Sequence, residues 1–139
     1  MGGLRPMITI SEVMSKEPKK IASNTSVVEA ATSMRDERVG SFLVERNGEC
    51  VGMVTDTDVV RKAVAEKKDL AKTTVETIMT APLNSIDATK TVPEAHDMMG
   101  DLGVRHLAVR EAGKVVGVIS VGDLAVYFTW LSEQKNPQR

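Results

Sequence analysis

Two short stretches carry residue types able to do chemistry. They are Gly52-Met53-Val54-Thr55-Asp56-Thr57-Asp58 and Gly117-Val118-Ile119-Ser120-Val121-Gly122-Asp123, which stand 65 positions apart. Each reads as an apolar strand running into a helix start. A hydroxyl residue, Thr55 or Ser120, sits at the junction, and an aspartate, Asp58 or Asp123, follows three positions on. Backbone N–H groups at a helix start lack intrahelical partners and carry partial positive charge, which suits an anion such as phosphate. The hydroxyl can donate to a phosphate or ribose oxygen, and a carboxylate can accept from both hydroxyls of a ribose. The same Ser/Thr-x-x-Asp spacing also describes a capping box, which needs no ligand. One copy alone does not separate the two readings.

Other chemistries find no support in the sequence. It shows no nucleophile–base pair and no Walker-type loop, which argues against an enzyme. Its two histidines, His96 and His106, belong to no Cys/His cluster, which argues against a metal site. Nucleic-acid binding is disfavoured by a net charge of −1 and by only one Trp, one Tyr and two Phe. No apolar run approaches the roughly 20 residues that span a bilayer. Met1-Gly2-Gly3-Leu4-Arg5-Pro6 lacks the apolar core of a signal peptide. These features lead us to expect a cytoplasmic protein. The lone Cys50 allows no internal disulfide, and its counterpart in the second copy is Val115, so it reads as a small strand residue. At 139 residues, 42% hydrophobic and 27% charged, the chain has the make-up of a soluble globular domain with a real core.

The elements that must position the two junctions repeat as well. Residues 7–65 align with 72–130 without a gap, and the identical pairs include Met14/Met79, Ile21/Ile86, Val27/Val92, Glu29/Glu94, Val39/Val104, Gly48/Gly113, Gly52/Gly117 and Asp58/Asp123. Thr9-Ile10-Ser11-Glu12 and Thr73-Thr74-Val75-Glu76 predict short capped turns. Lys20-Ile21-Ala22 and Ser85-Ile86-Asp87 predict short extended pieces. Helices then start at Ser26 and Thr91, with apolar residues at helical spacing. Strands over 41–45 and 106–110 turn at Asn47-Gly48 and Ala112-Gly113 into strands over 50–55 and 115–120. Helices over 59–66 and 124–131 close each copy. The expected architecture is α/β (α+β), two tandem β-α-β-β-α repeats packed through their sheets with pseudo-twofold symmetry. The first repeat spans 7–66, a polar linker 67–72 and the second repeat 73–132, with a frayed tail over 133–139.

Taken together, these features resemble a pair of CBS domains, the cystathionine β-synthase type of regulatory module. The resemblance rests on the duplication, the Val13-Met14-Ser15 and Ile78-Met79-Thr80 openings, the two Gly-x-x-Thr/Ser-x-x-Asp stretches, and Val104-Arg105-His106-Leu107-Ala108-Val109. Ala108 departs from the pattern, standing where proline is more usual. The resemblance covers about 7–130 and implies an adenosine-containing ligand: AMP, ADP or ATP, or less often S-adenosylmethionine. Carried over residue by residue, it implies one site from Lys19, Val39, Gly40, Ser41, Arg105, Val118, Ser120 and Asp123. A second site would draw on Met53, Thr55, Asp58, Asn84, Val104 and His106. Arg105 matches a position where some relatives place a phosphate-binding arginine. Gly40 occupies that position in the other copy, so the sites are not equivalent, and Arg61 or Lys62 would have to compensate. His106 reads as a cleft-lining residue.

The function expected is an adenine-nucleotide sensor without catalysis, signalling to an effector protein that is not part of the chain. S-adenosylmethionine sensing and nucleic-acid regulation are the alternatives. A homodimer through the closing helices is expected, because Leu124, Val126, Tyr127, Phe128, Trp130 and Leu131 give the last helix more apolar surface than one core face can use. In the first copy Val59, Val60, Ala63 and Val64 form the corresponding apolar face.

Overall fold

In the computed structural model, residues 8–135 are described, without the side chain of Lys135. A 3-10 turn, Ile10–Glu12, is the first element of the described part and is capped as expected, with the Glu12 carboxylate accepting from the Thr9 N–H at 2.9 Å. The first copy then runs through β1 (Lys20–Ala22), α1 (Val27–Glu37), β2 (Ser41–Arg46), β3 (Glu49–Thr55) and α2 (Asp56–Asp58). A π-helical stretch, Val59–Val64, follows α2. After α3 (Val75–Ile78), the second copy runs through β4 (Ser85–Asp87), α4 (Val92–Leu102), β5 (His106–Glu111), β6 (Lys114–Ser120) and α5 (Val121–Lys135). The fold is mixed α and β with two three-stranded sheets, ordered β1-β2-β3 and β4-β5-β6. In each sheet the first strand is parallel to the second, and the second is antiparallel to the third.

The compact units do not follow the repeat boundaries. One unit is Pro18–Asn84, and the other joins residues 8–17 to 85–135. Within each unit an opening turn reaches the outer edge of the third strand. Ser15 N–H donates to Val118 O at 2.9 Å and Val118 N–H returns a bond to Ser15 O at 3.1 Å. Thr80 and Met53 exchange the same pair at 2.8 and 3.1 Å. Each unit has its own apolar cluster. Val27, Ala30, Phe42, Val44, Val54, Ala63, Val75 and Ile78 are buried in one, and Ile10, Val92, Ala95, Leu107, Val109, Ile119 and Leu124 in the other.

Several local expectations change. Glu76 does not cap the turn at Thr73; α3 begins one residue later, and Glu76 pairs with Arg46. The 67–72 segment is polar but not loose, since Leu70 O accepts from Val28 N–H at 2.9 Å and the Leu70 side chain packs on the core. The first closing helix widens, with Ala65 N–H reaching Val60 O and Lys68 N–H reaching Ala63 O, five residues back. Its expected apolar face divides, Val59 and Ala63 being buried while Val60 and Val64 are exposed. Glu133 to Lys135 continue α5, while 136–139 and the first seven residues lie outside the described part.

The edge bridges explain two glycines. A Cβ on Gly117 would sit 2.5 Å from Ser15 O and 2.7 Å from the Met14 sulfur, and one on Gly52 would sit 2.7 Å from Thr80 O and 2.8 Å from the Met79 sulfur. A backbone oxygen cannot step aside without breaking the bridge. Gly117→Ala should therefore cost about 1–3 kcal/mol, as overpacking does. Gly100→Ala, in open space on α4, should gain roughly 0.5–1 kcal/mol from better helix propensity. Urea melts of the two variants check this opposite pair of signs.

Candidate ligand-binding junctions

Strand directions gather the polar candidates at one end of each sheet. The starts of β1 and β2 lie beside the end of β3, so Ser41 pairs directly with Thr55, and Leu43 N–H reaches Lys19 O at 2.9 Å. In the other unit the start of β5 lies beside the end of β6, and His106 pairs with Ser120. The first N–H of the helix at each junction is taken by the residue leading into the neighbouring strand. Asp56 N–H donates to Gly40 O at 3.0 Å, and Val121 N–H donates to Arg105 O at 2.9 Å.

Both junctions form the capping box. Asp58 N–H donates to Thr55 Oγ1 at 3.2 Å, and Thr55 N–H donates to Asp58 Oδ2 at 3.0 Å. Asp123 N–H donates to Ser120 Oγ at 3.2 Å, and Ser120 N–H donates to Asp123 Oδ2 at 2.8 Å. The capping reading thus holds at both copies, and the helix-start N–H groups are less free than an anion site would want. The hydroxyl protons of Thr55 and Ser120 are not used by the box, because each oxygen acts there as an acceptor.

The structure places the remaining candidates as follows. Lys19 reaches Glu37 at 3.3 Å across a surface where both side chains are about half exposed. Val39 packs on the core of its unit and Val104 on that of the other. Met53 is buried, and Val118 is half-buried. Both belong to the edge bridges. Asn84 is half-buried just ahead of β4. Arg105 is exposed, with no ion pair to its guanidinium among the described residues. His106 is half-buried on β5, and Cys50 is half-buried on β3. Among the described residues no group of three His, Cys, Asp or Glu side chains could hold a metal ion, and no helix is long and apolar enough to cross a membrane.

Each of the two expected sites draws on residues of both units. Within one unit the structure brings Lys19, Val39, Gly40 and Ser41 to the strand end that carries Thr55 and Asp58. Within the other it brings Val104, Arg105 and His106 to the end that carries Ser120 and Asp123. One relation went unread in the sequence. Lys62 Nζ lies 3.0 Å from Asp58 Oδ1, an i,i+4 ion pair whose spacing was available as a signal.

A sequence description of the CBS domain matches the chain twice, over residues 10–65 and 75–129. The chain belongs to the CBS domain family. It is 28% identical over 120 residues to the CBS domain-containing protein YhcV of Bacillus subtilis, covering 86% of this chain and 85% of YhcV. An uncharacterized conserved protein from Pyrococcus horikoshii, solved as a crystal structure, superposes with a TM-score of 0.83 at 28% identity, over 90% of this chain and 95% of that one. The CBS domain pair of MJ0100 was solved in complex with 5-methylthioadenosine and S-adenosyl-L-methionine. It superposes with a TM-score of 0.79 at 25% identity, over 89% of this chain and 98% of that one. The CBS pair is a regulatory module, and the tandem repeat, the two three-stranded sheets and their helices are those of the family.

Because both junctions are capping boxes, Ser120→Ala and Thr55→Ala should each remove an acceptor from an orphan helix N–H. Each should cost about 1 kcal/mol of stability with no ligand present. Thermal melts of the nucleotide-free variants measure it, and an unchanged melting temperature would remove the capping role.

Proposed function

We propose that this CBS pair is a non-catalytic sensor of an adenosine-containing ligand, AMP, ADP or ATP in the first instance, acting in the cytoplasm on a separate effector protein. The observation that carries the reading is the Asp123 junction. Its carboxylate is half-buried, with Oδ2 fixed by Ser120 N–H. Its Oδ1 has no partner among the described residues, and an exposed arginine, Arg105, is bonded through its backbone to the first N–H of α5. An oriented carboxylate acceptor for a ribose diol and a guanidinium fork for phosphate are complementary to the two polar ends of a nucleotide. The residues proposed as ligand contacts with the Asp123 junction are Lys19, Val39, Gly40, Ser41, Arg105, Val118, Ser120 and Asp123; the resemblance offers a second set, Met53, Thr55, Asp58, Asn84, Val104 and His106, whose occupancy is a separate question. S-adenosylmethionine is the second reading, favoured by the MJ0100 complex, and it carries the same ribose but no phosphate.

Binding energy at such a site acts by shifting an equilibrium between states of the protein. AMP, ADP or ATP at about 100 times its dissociation constant should stabilise the chain by about 2.7 kcal/mol. Asp123→Ala should weaken binding by about 1.5–3 kcal/mol through loss of a charged acceptor. Thermal shift and calorimetry measure both, with S-adenosylmethionine in parallel, and a melting temperature moved by none of these ligands would refute the sensor.

We also propose a homodimer through the closing helices. α5 is anchored by Leu124, Tyr127 and Leu131, while Val126, at 72% exposure, and Trp130, at 40%, look outward along a groove with Ala125 and Thr129. Apolar surface of this kind on a regular helix is a feature of partner interfaces. Sedimentation at micromolar concentration should give about twice 15.0 kDa. Val126→Ser with Trp130→Ala should shift the chain toward monomer, since central aromatic anchors typically cost 2 kcal/mol or more.

A further inference from the structure

The two junctions share a box and differ in what the box leaves over. At Asp123 one carboxylate oxygen is unpartnered among the described residues, and so is the N–H of Gly122. At Asp58 each carboxylate oxygen already has a partner. Oδ2 takes the Thr55 N–H, Oδ1 takes the Lys62 ammonium at 3.0 Å, and the residue is only 6% exposed. Thr57 N–H, the counterpart of Gly122 N–H, donates to Asp56 Oδ1 at 2.8 Å.

Two differences between the copies produce this. Asp56 aligns with Val121, which offers no acceptor, and Lys62 aligns with Tyr127, which is buried in the core and offers no cation.

We propose that Lys62 and Asp56 are built-in occupants of the first junction, so that a ligand's ribose diol is taken at Asp123 and not at Asp58. Lys62 is then the specificity-determining residue that sets how many ligands the chain holds. This rests on the reading that the junction aspartates take ribose. A diol arriving at Asp58 competes with an ammonium on a nearly buried carboxylate, and where it displaces that ammonium it exchanges a charge-assisted contact for weaker ones. At Asp123 the same diol meets an oxygen that has no partner to displace among the described residues. Lys62 is about half exposed. Water can therefore receive its ammonium, and the block is one of relative affinity rather than of steric closure.

Titration calorimetry of the full chain with AMP, and separately with S-adenosylmethionine, tests this. We expect one ligand per chain. Asp123→Asn should weaken binding about tenfold or more, a larger loss than Asp58→Asn gives. Lys62→Met should raise the stoichiometry to two, and Lys62→Gln serves if the methionine variant does not fold. Two ligands per wild-type chain, a loss of affinity in Asp58→Asn as large as that in Asp123→Asn, or weaker binding in the Lys62 variants would each overturn the proposal. The last would mean that Lys62 serves the ligand's phosphate. If the wild-type chain binds neither AMP nor S-adenosylmethionine, the ribose reading itself fails, which is a different result from any of these.

Discussion

The edge bridge at the third strand of each sheet is the contact on which the other features depend. A three-stranded sheet with an open outer edge presents unpaired N–H and C=O groups and is marginal by itself. Here the turn after Met14 or Met79 supplies one residue, Ser15 or Thr80, that exchanges two hydrogen bonds with that edge. The exchange requires the strand to be approached at close range, which only a residue without a Cβ permits at Gly117 and Gly52. The methionine sulfur fills the space beside the glycine. The bridge fixes the third strand, and the third strand carries the junction where Thr55 or Ser120 turns into a helix.

That dependence explains what the repeat preserved. Among the pairs identical between copies, Met14/Met79 and Gly52/Gly117 are partners in the same contact. The periodicity of 2 and of 3.6, the caps and the Asn47-Gly48 turn were enough to place every strand within one residue of its observed limits. The sequence was silent on how the pieces are shared out. Nothing local in Val13-Met14-Ser15 says that it will pair with Val118 and not with a nearer strand. The widened turns over Val59–Val64 were equally hidden, because apolar residues at 59, 60, 63 and 64 suit an α-helix as well as a π-helix.

The junctions were legible as a residue pattern, and the pattern proved ambiguous for a physical reason. A hydroxyl and a carboxylate three residues apart at a helix start will satisfy each other whether or not a ligand is present. The structure separates the copies by their surroundings: an aspartate with one oxygen unpartnered among the described residues, and one whose two oxygens each have a partner. Arg105 could be picked out as a cation at a strand opening, but its having no ion pair among the described residues could not. Lys19, by contrast, is held by Glu37.

The sharing of the opening turns also has a temporal side. The Pro18–Asn84 unit is continuous in the chain, whereas the other unit is interrupted by it. Ser15 is made early, and its partner Val118 only about a hundred residues later. Domains tend to fold as they emerge, and contacts that close long loops come late. The nascent chain can therefore complete its middle first, while Ile10 and Ser11 wait for Lys90 and Ala88, and Ser15 waits longer still, for Val118 on β6. Ile10 gains core neighbours as soon as Ile86 to Val92 are made, whereas Met14 must wait for Gly117, so the Ser15 bridge is the last of these contacts to close.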